Sequence, residues 1–94
     1  MTALRAARPN SEYPLIGFAV VELARGRPEE AVRLLQSQAL PAFPDSSDVK
    51  SFIGLALHLS GRRQESRDLL HQVQADRGAT AEATALAGAV IGLT

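Results

Sequence analysis

The chain has 94 residues, ten Lys plus Arg balanced by ten Asp plus Glu, no Cys, and 46% apolar residues. A chain of this length forms one domain with a small core, burying roughly 60 to 65% of its unfolded surface. Zero net charge argues against a nucleic-acid-binding module, which needs a concentrated basic surface. The absence of Cys excludes disulfides, thiolate catalysis and most structural zinc sites, and it fits a reducing compartment.

The composition also favours helices. Ala and Leu are abundant among the apolar residues, and only 4% of the residues are aromatic, which favours an all-helical domain. No apolar run approaches the ~18 residues that a membrane span requires, and residues 1–9 contain no apolar stretch of signal-peptide length. We therefore expect a soluble, unprocessed, cytoplasmic protein.

Proline and glycine residues divide the chain into five predicted helices. The first helix begins near Ser11, a good N-cap residue, and ends at Gly26. Between Leu15 and Ala24 its only charged residue is Glu22, so it is apolar around most of its circumference and must be covered on more than one side. The second helix spans about Pro28 to Gln38 and is amphipathic.

The next three helices continue the alternation. The third, from about Ser46 to Ser60, is nearly as apolar as the first, and Gly61 ends it. The fourth, from about Arg62 to Arg77, is amphipathic again. The fifth follows Gly78 and spans about Ala79 to Leu93. Its polar residues lie near its start, so its apolar remainder must be covered by this chain, a second copy or a partner.

An apolar helix, a Gly turn and an amphipathic helix occur in this order twice. The turn glycines Gly26 and Gly61 are 35 residues apart, and the ten-residue segments that begin at them agree at five positions. Such a period, with two helices in each unit, resembles the tetratricopeptide repeat. The resemblance implies antiparallel helix pairs stacked as a short right-handed solenoid of about five helices. The predicted single domain covers residues 1–94. It contains units at about 11–44 and 46–77 and a capping helix at about 79–93.

The resemblance carries over to individual residues. The family's small positions hold small side chains here, and its large apolar position holds leucines. These residues are Ala19, Ala31, Gly54 and Ser66, followed by Leu35 and Leu70. The chain departs from the family at the first-helix aromatic site, where Leu15 and Lys50 stand, and the inter-unit proline is displaced to Pro41 and Pro44. These departures affect the superhelical twist more than the helix-pair fold.

A further resemblance concerns the chain from Leu4 to Ala75. Residues 3–10 look like the last turns of another unit's second helix. The stretch from Leu4 to Ala75 contains, in order, Arg-Pro-Asn-Ser, an apolar helix, Arg-Gly-Arg and Glu-Ala-Val-Arg-Leu-Leu. In this order it resembles small tetratricopeptide-like proteins of bacterial type III secretion, including the Hrp group and the needle-subunit chaperones. This resemblance implies a non-enzymatic adaptor or chaperone in protein transport.

In tetratricopeptide proteins the first helix of each unit lines a concave groove. The groove residues that the resemblance implies are Tyr13, Ile16, Val20 and Leu23 from the first unit, and Phe52, Leu55, His58 and Leu59 from the second. Because this set is mostly apolar, it favours an amphipathic helix of another protein as the ligand, for example a small secretion subunit.

The role of the fifth helix leaves alternatives open. It either folds back and fills part of the groove or pairs with a second copy through Leu86, Val90 and Ile91. The second arrangement gives a symmetric homodimer and makes the chain a self-associating scaffold of the secretion apparatus. The resemblance to type III secretion proteins also implies an alternative location, in association with the secretion apparatus at the cell envelope.

Residues that carry chemistry are few and scattered. His58 and His71 are thirteen residues apart, without the spacing of a metal site. Glu29 and Glu30 are adjacent on a helix and point apart, so they are interpreted as charges that favour a helix start. No glycine-rich phosphate loop is present. The sequence therefore predicts no enzymatic activity, no metal and no cofactor.

Overall fold

A computed structural model describes residues 11–93, and the all-α class with about five helices is confirmed. No strand occurs in this part of the chain. The helices are α1 (Tyr13–Ala24), α2 (Pro28–Leu34, extended by a π-helical turn at Leu35–Ala39 and a last turn at Leu40–Ala42), α3 (Ser47–Leu59), α4 (Arg63–Ala75) and α5 (Ala81–Gly92). The expected helix end at residues 3–10 lies outside the described residues.

The two predicted glycine turns have the same geometry. Gly26 and Gly61 have φ values of 74° and 84°, in the left-handed region that favours glycine. In each turn the amide of the following residue, Arg27 or Arg62, donates to a carbonyl five residues earlier, at 2.8 and 2.9 Å. This bond is typical of a Schellman helix end. The sequence repeat is therefore matched by a repeat in backbone structure.

Serine side chains lie at the starts of α1 and α3. The Ser46 hydroxyl accepts a hydrogen bond from the amide of Val49 at 3.2 Å and caps α3 as the sequence predicts. The helical geometry of α1 begins two residues after Ser11, whose hydroxyl accepts from the amide of Tyr13 at 3.2 Å.

The second helix is longer than predicted. It continues past Gln38 through Ala42, although Pro41 has no amide hydrogen to donate and its ring would crowd the carbonyl four residues earlier in a regular α-helix. The turn before the proline is π-helical, and the amide of Leu40 donates to the carbonyl of Leu35, five residues earlier. This wider turn accommodates the proline without ending the helix.

Helix α3 lies at the centre of the molecule and contacts each of the other four helices. Its buried side chains join α1 and α2 in a first core cluster, while α4 and α5 form a second cluster. The first cluster is Ile16, Ala19, Ala31, Val32, Leu35, Ala39, Val49, Ile53, Ala56 and Leu57. The second is Leu70, Val73, Ala83, Ala87 and Val90.

Small residues allow the paired helices to cross closely. The hydroxyl of Ser66 in α4 donates to the carbonyl of Gly54 in α3 at 2.6 Å. A methyl group at Gly54 would lie 2.3 Å from the Leu70 side chain, too close for van der Waals contact. In the first pair, Ala19 and Ala31 are fully buried. The positions that the tetratricopeptide resemblance assigned to small residues thus lie inside the molecule.

Candidate partner-binding surface

Hydrogen bonds between side chains join the N-terminal ends of α1, α3 and α5. Asp48, in the first turn of α3, accepts from the hydroxyl of Tyr13 at 3.0 Å and from the hydroxyl of Thr80, the N-cap of α5, at 2.7 Å. The hydroxyl of Ser46 donates to Glu12 at 3.0 Å. The first helices of the two predicted units and the predicted capping helix therefore begin along one edge of the molecule.

One face of each of these three helices carries apolar side chains, several of which are exposed. A spacing of three, four or seven residues places the members of each helix on a common face. We name this surface the apolar strip, and its members are Tyr13, Val20 and Ala24 of α1, Phe52, Leu55 and Leu59 of α3, and Leu86, Ala89 and Leu93 of α5 and its C-cap. Tyr13, Val20, Leu59 and Leu93 are 52%, 42%, 54% and 69% exposed, so the strip is open to a ligand.

The eight predicted groove residues differ in accessibility. Tyr13, Val20 and Leu59 are exposed, while Leu23, Phe52, Leu55 and His58 are half-buried. Leu23 and Phe52 pack against the first core cluster, and Leu55 packs against the second. Ile16 is a member of the first cluster and is only 6% exposed. It therefore supports α1 from inside, since a ligand on the surface would not reach it.

The three residues predicted for self-association pack within the chain. Val90 is 2% exposed and belongs to the second core cluster. Leu86 and Ile91 are half-buried against the same cluster, which includes Leu70 of α4. Helix α5 thus uses its most apolar face to cover α3 and α4, and it adds Ala89 and Leu93 to the exposed surface. The sequence reasoning missed this contribution, although the repeated spacing of the strip positions signals it.

A second exposed apolar surface lies on another side of α1. It consists of Pro14, Phe18 and Val21, which are four and three residues apart and so share one face. Phe18 and Val21 are 63% and 47% exposed. We name this surface the α1 end face. The sequence predicts that the apolar helix α1 needs cover on more than one side. The α1 end face is an apolar side of that helix that is exposed.

A small polar cleft lies between α1 and α2. Its volume is about 210 Å³, below the ~300 Å³ at which ordinary small-molecule pockets begin. Its lining residues are Glu22, Glu30, Arg33, Leu34, Ser37 and Gln38. One carboxylate oxygen of Glu22 is buried there without a hydrogen-bond partner in the described part of the chain, whereas Glu30 and Arg33 form an ion pair.

The histidines stay apart from other ligating groups. His71 is exposed, and His58 is half-buried, with a shielded Nδ1 that has no hydrogen-bond partner among residues 11–93. Within the same range, no three His, Asp or Glu side chains come close enough to hold a metal ion together.

An ion-pair cluster lies at the start of α4. Arg62 donates two hydrogen bonds to Glu65, at 2.8 and 2.9 Å, and one to Glu29 of α2 at 3.2 Å. The hydrogen bonds from Arg62 hold the pKa of Glu65 below its ordinary value, and those bonds raise the pKa of Arg62. Glu29 is predicted as a charge that favours the start of α2. Its hydrogen bond with Arg62 also links α2 to the start of α4.

No protein-family model, no curated protein and no solved structure matches the chain. Within residues 11–93, none of the helices combines the length and the apolarity that crossing a bilayer demands. The resemblance to tetratricopeptide proteins of type III secretion stays a prediction. A function for the chain must therefore be inferred from its own residues. Among the described surfaces, the apolar strip is the one best suited to binding a partner.

Proposed function

We propose that the chain is a non-enzymatic adaptor or chaperone that holds an apolar face of a partner helix on the apolar strip. The observation that carries the proposal is the exposure of large apolar side chains on one face of each of three helices whose N-terminal ends lie along one edge. Tyr13 and Val20 lie on the first helix, Leu59 on the second and Leu93 beside the third. Large contiguous apolar surfaces on small proteins mark interaction sites.

The chemistry of the strip defines the partner. No Lys or Arg is among its members, so it offers no cationic clamp for a carboxylate. An amphipathic helix presents apolar anchors every three or four residues, a spacing that matches the spacing within the strip. Burial of those anchors contributes about 25 cal/mol per Å² before the cost of ordering is subtracted.

The proposed setting follows from the resemblance in the sequence. Small tetratricopeptide-like proteins of type III secretion fit a non-enzymatic holder of a helical segment, and a small secretion subunit is therefore the proposed partner. We place the complex in the cytoplasm, with the secretion apparatus at the cell envelope as the alternative location. No cofactor is needed for this role.

The test is co-expression with candidate small secretion subunits, followed by affinity capture. Val20→Asp combined with Leu59→Asp should abolish capture, because two charges would be buried under the partner helix. Val21→Asp is the matched control for Val20→Asp alone, since it places the same single charge on a similarly exposed valine of α1 outside the strip. Val20 and Leu59 are better sites for substitution than Phe52 and Leu55, because Phe52 and Leu55 also pack against the core clusters. Capture that survives the double substitution would overturn the proposal.

The alternative is a self-associating scaffold that pairs two copies through α5. The exposure of Leu93 and Ala89 leaves a surface for such pairing, while Val90 is occupied within the chain. Sedimentation velocity at micromolar concentrations distinguishes the two functions. A monomer across this range excludes the scaffold, whereas a dimer that Leu93→Asp dissociates supports it.

A further inference from the structure

The polar cleft between α1 and α2 contains a carboxylate that lacks a donor. One oxygen of Glu22 is shielded from solvent, and no hydrogen-bond partner for it exists within residues 11–93. Such an oxygen has lost its hydrogen bonds to water without gaining others, and this loss costs free energy. The cleft is therefore a place where a hydrogen-bond donor would be bound favourably.

The charges around the cleft favour a cation. The lining contains two carboxylates, Glu22 and Glu30, and one guanidinium, Arg33, so its net charge is −1. Arg33 is already engaged, because it forms an ion pair with Glu30 along α2. Glu22 is thus left without a cation of its own in the described part of the chain.

The remaining lining residues favour one kind of cation. Ser37 and Gln38 lie in the π-helical turn of α2, a feature that is frequent at functional sites. The hydroxyl of Ser37 donates to the carbonyl of Arg33 at 2.6 Å, so its oxygen can still accept. A guanidinium has donors in a planar fork and bonds several acceptors at once, whereas an ammonium is a compact and strongly hydrated charge. Half-buried Leu34 adds an apolar wall for an alkyl stem.

We propose that the cleft binds a guanidinium group on a short alkyl stem, from a small guanidino compound or from an arginine of another protein. The guanidinium donates to Glu22 and to a side-chain oxygen of Ser37 or Gln38. Glu22 presents its shielded oxygen by rotation about its terminal torsion, which is soft. The cleft volume of about 210 Å³ is sufficient, since a cavity of about 150 Å³ holds benzene and a guanidinium with a short stem is of similar size.

The cleft lies away from the apolar strip. Glu22 is two residues from both Val20 and Ala24, and positions two residues apart on an α-helix differ by about 200° around its axis. Glu22 is therefore on the opposite side of α1 from the strip. The ligand of the cleft is not the helix that we place on the strip, and this inference does not depend on the proposed function.

The test is a chemical-shift titration of the isotope-labelled full chain with N-ethylguanidinium, with sodium chloride at equal ionic strength as the reference. Saturable shifts should appear at the carboxyl carbon of Glu22 and the side-chain amide of Gln38. Glu22→Gln should raise the Kd about tenfold or more, because the charged acceptor is lost, and it should keep the helical circular dichroism. Glu82→Gln, in the exposed first turn of α5, is the matched control and should leave the Kd unchanged.

Two further ligands identify the source of the guanidinium. Tighter binding of free arginine indicates a small guanidino compound, and tighter binding of N-acetylarginine methylamide indicates an arginine of another protein. Either result supports the site. Three results would overturn it: no saturable shift at Glu22 and Gln38, an unchanged Kd in Glu22→Gln, or an equal Kd for ethylammonium, which would mean an unselective contact with cations.

Discussion

Gly54 is the residue that allows α4 to lie close to α3. The Leu70 side chain occupies the space that any larger side chain at this position would need, and Leu70 itself is fully buried. The neighbouring Ser66 hydroxyl donates to the Gly54 carbonyl from the same side. The packing leaves Leu70 little freedom to move aside.

Gly54→Ala should therefore destabilise the protein. Overpacking costs about 1–3 kcal/mol, and the better helix propensity of Ala returns up to about 1 kcal/mol, so we expect a net loss of about 1–2 kcal/mol. Urea unfolding followed by circular dichroism measures the change. Gly17→Ala in α1 is the control, because the added methyl has no described atom within 4 Å apart from its chain neighbours and the nearby backbone of α1, and it should stabilise by about 0.5–1 kcal/mol. Equal stability of Gly54→Ala and the wild type would contradict the close crossing.

At the residue scale, the sequence predicted the positions of the buried small residues better than it predicted which large apolar residues are exposed. Gly54 and Ser66 were predicted from the tetratricopeptide resemblance, which implies small residues at these two positions, and both are buried. Ile16 was assigned to the groove but lies in the core. Since α1 is apolar on nearly every side, periodicity does not show which of its faces points inward.

At the scale of helices, Asp48 connects three of them. Its two carboxylate oxygens accept from Tyr13 of α1 and from Thr80 at the start of α5. Asp48 belongs to α3, so one side chain aligns the helices that carry the apolar strip. Hydrogen bonds to a charged group contribute more than neutral ones, although the partial exposure of these side chains reduces the gain.

Asp48→Ala should lower the free energy of unfolding by about 1–2 kcal/mol, since both hydrogen bonds are lost. It should also increase amide hydrogen exchange in the first turns of α1 and α5 more than in α4. Asp45→Ala, three residues earlier in an exposed turn, controls for the loss of one negative charge. Uniform exchange across all five helices in Asp48→Ala would contradict this role.

The Arg62 cluster predicts a pH dependence. The pKa of Glu65 is lowered from its ordinary value of about 4.5 in the folded chain, so the folded state binds this proton less readily than the unfolded state. The contribution of the pair is complete above the ordinary pKa and is lost as the pH falls through the lowered pKa. Glu65→Gln should therefore flatten the fall in Tm as the pH drops below the ordinary pKa of about 4.5, and high salt should reduce the difference. Parallel pH profiles for the two chains would contradict the ion pair.

Helix starts and ends were predictable where one residue controls them. Gly26 and Gly61 end α1 and α3 because the left-handed geometry favours glycine, and Ser46 caps α3. The end of α2 was predicted too early, at Gln38. A π-helical turn keeps the helix running through Pro41, and such a turn depends on packing that local residue preferences do not contain.

At the scale of the whole molecule, the all-helical class and the number of helices were predictable from proline and glycine spacing and from helical periodicity. The candidate surface was predictable only in part, because exposure depends on where each helix packs. Leu55 is half-covered by the cluster that α5 completes, whereas Val20, at the equivalent position of α1, is exposed. The open part of the strip is therefore concentrated toward α1, the end of α3 and the end of α5.

The central claim is that the apolar strip, and no other surface, receives a partner helix. Amide chemical-shift mapping of the isotope-labelled full chain, titrated with a co-purifying secretion subunit, tests it most directly. We predict that the largest shifts cluster around Val20, Leu59 and Leu93 and are absent from the exposed faces of α2 and α4. Shifts centred on Phe18 and Val21, or on the outer face of α4, would contradict the account.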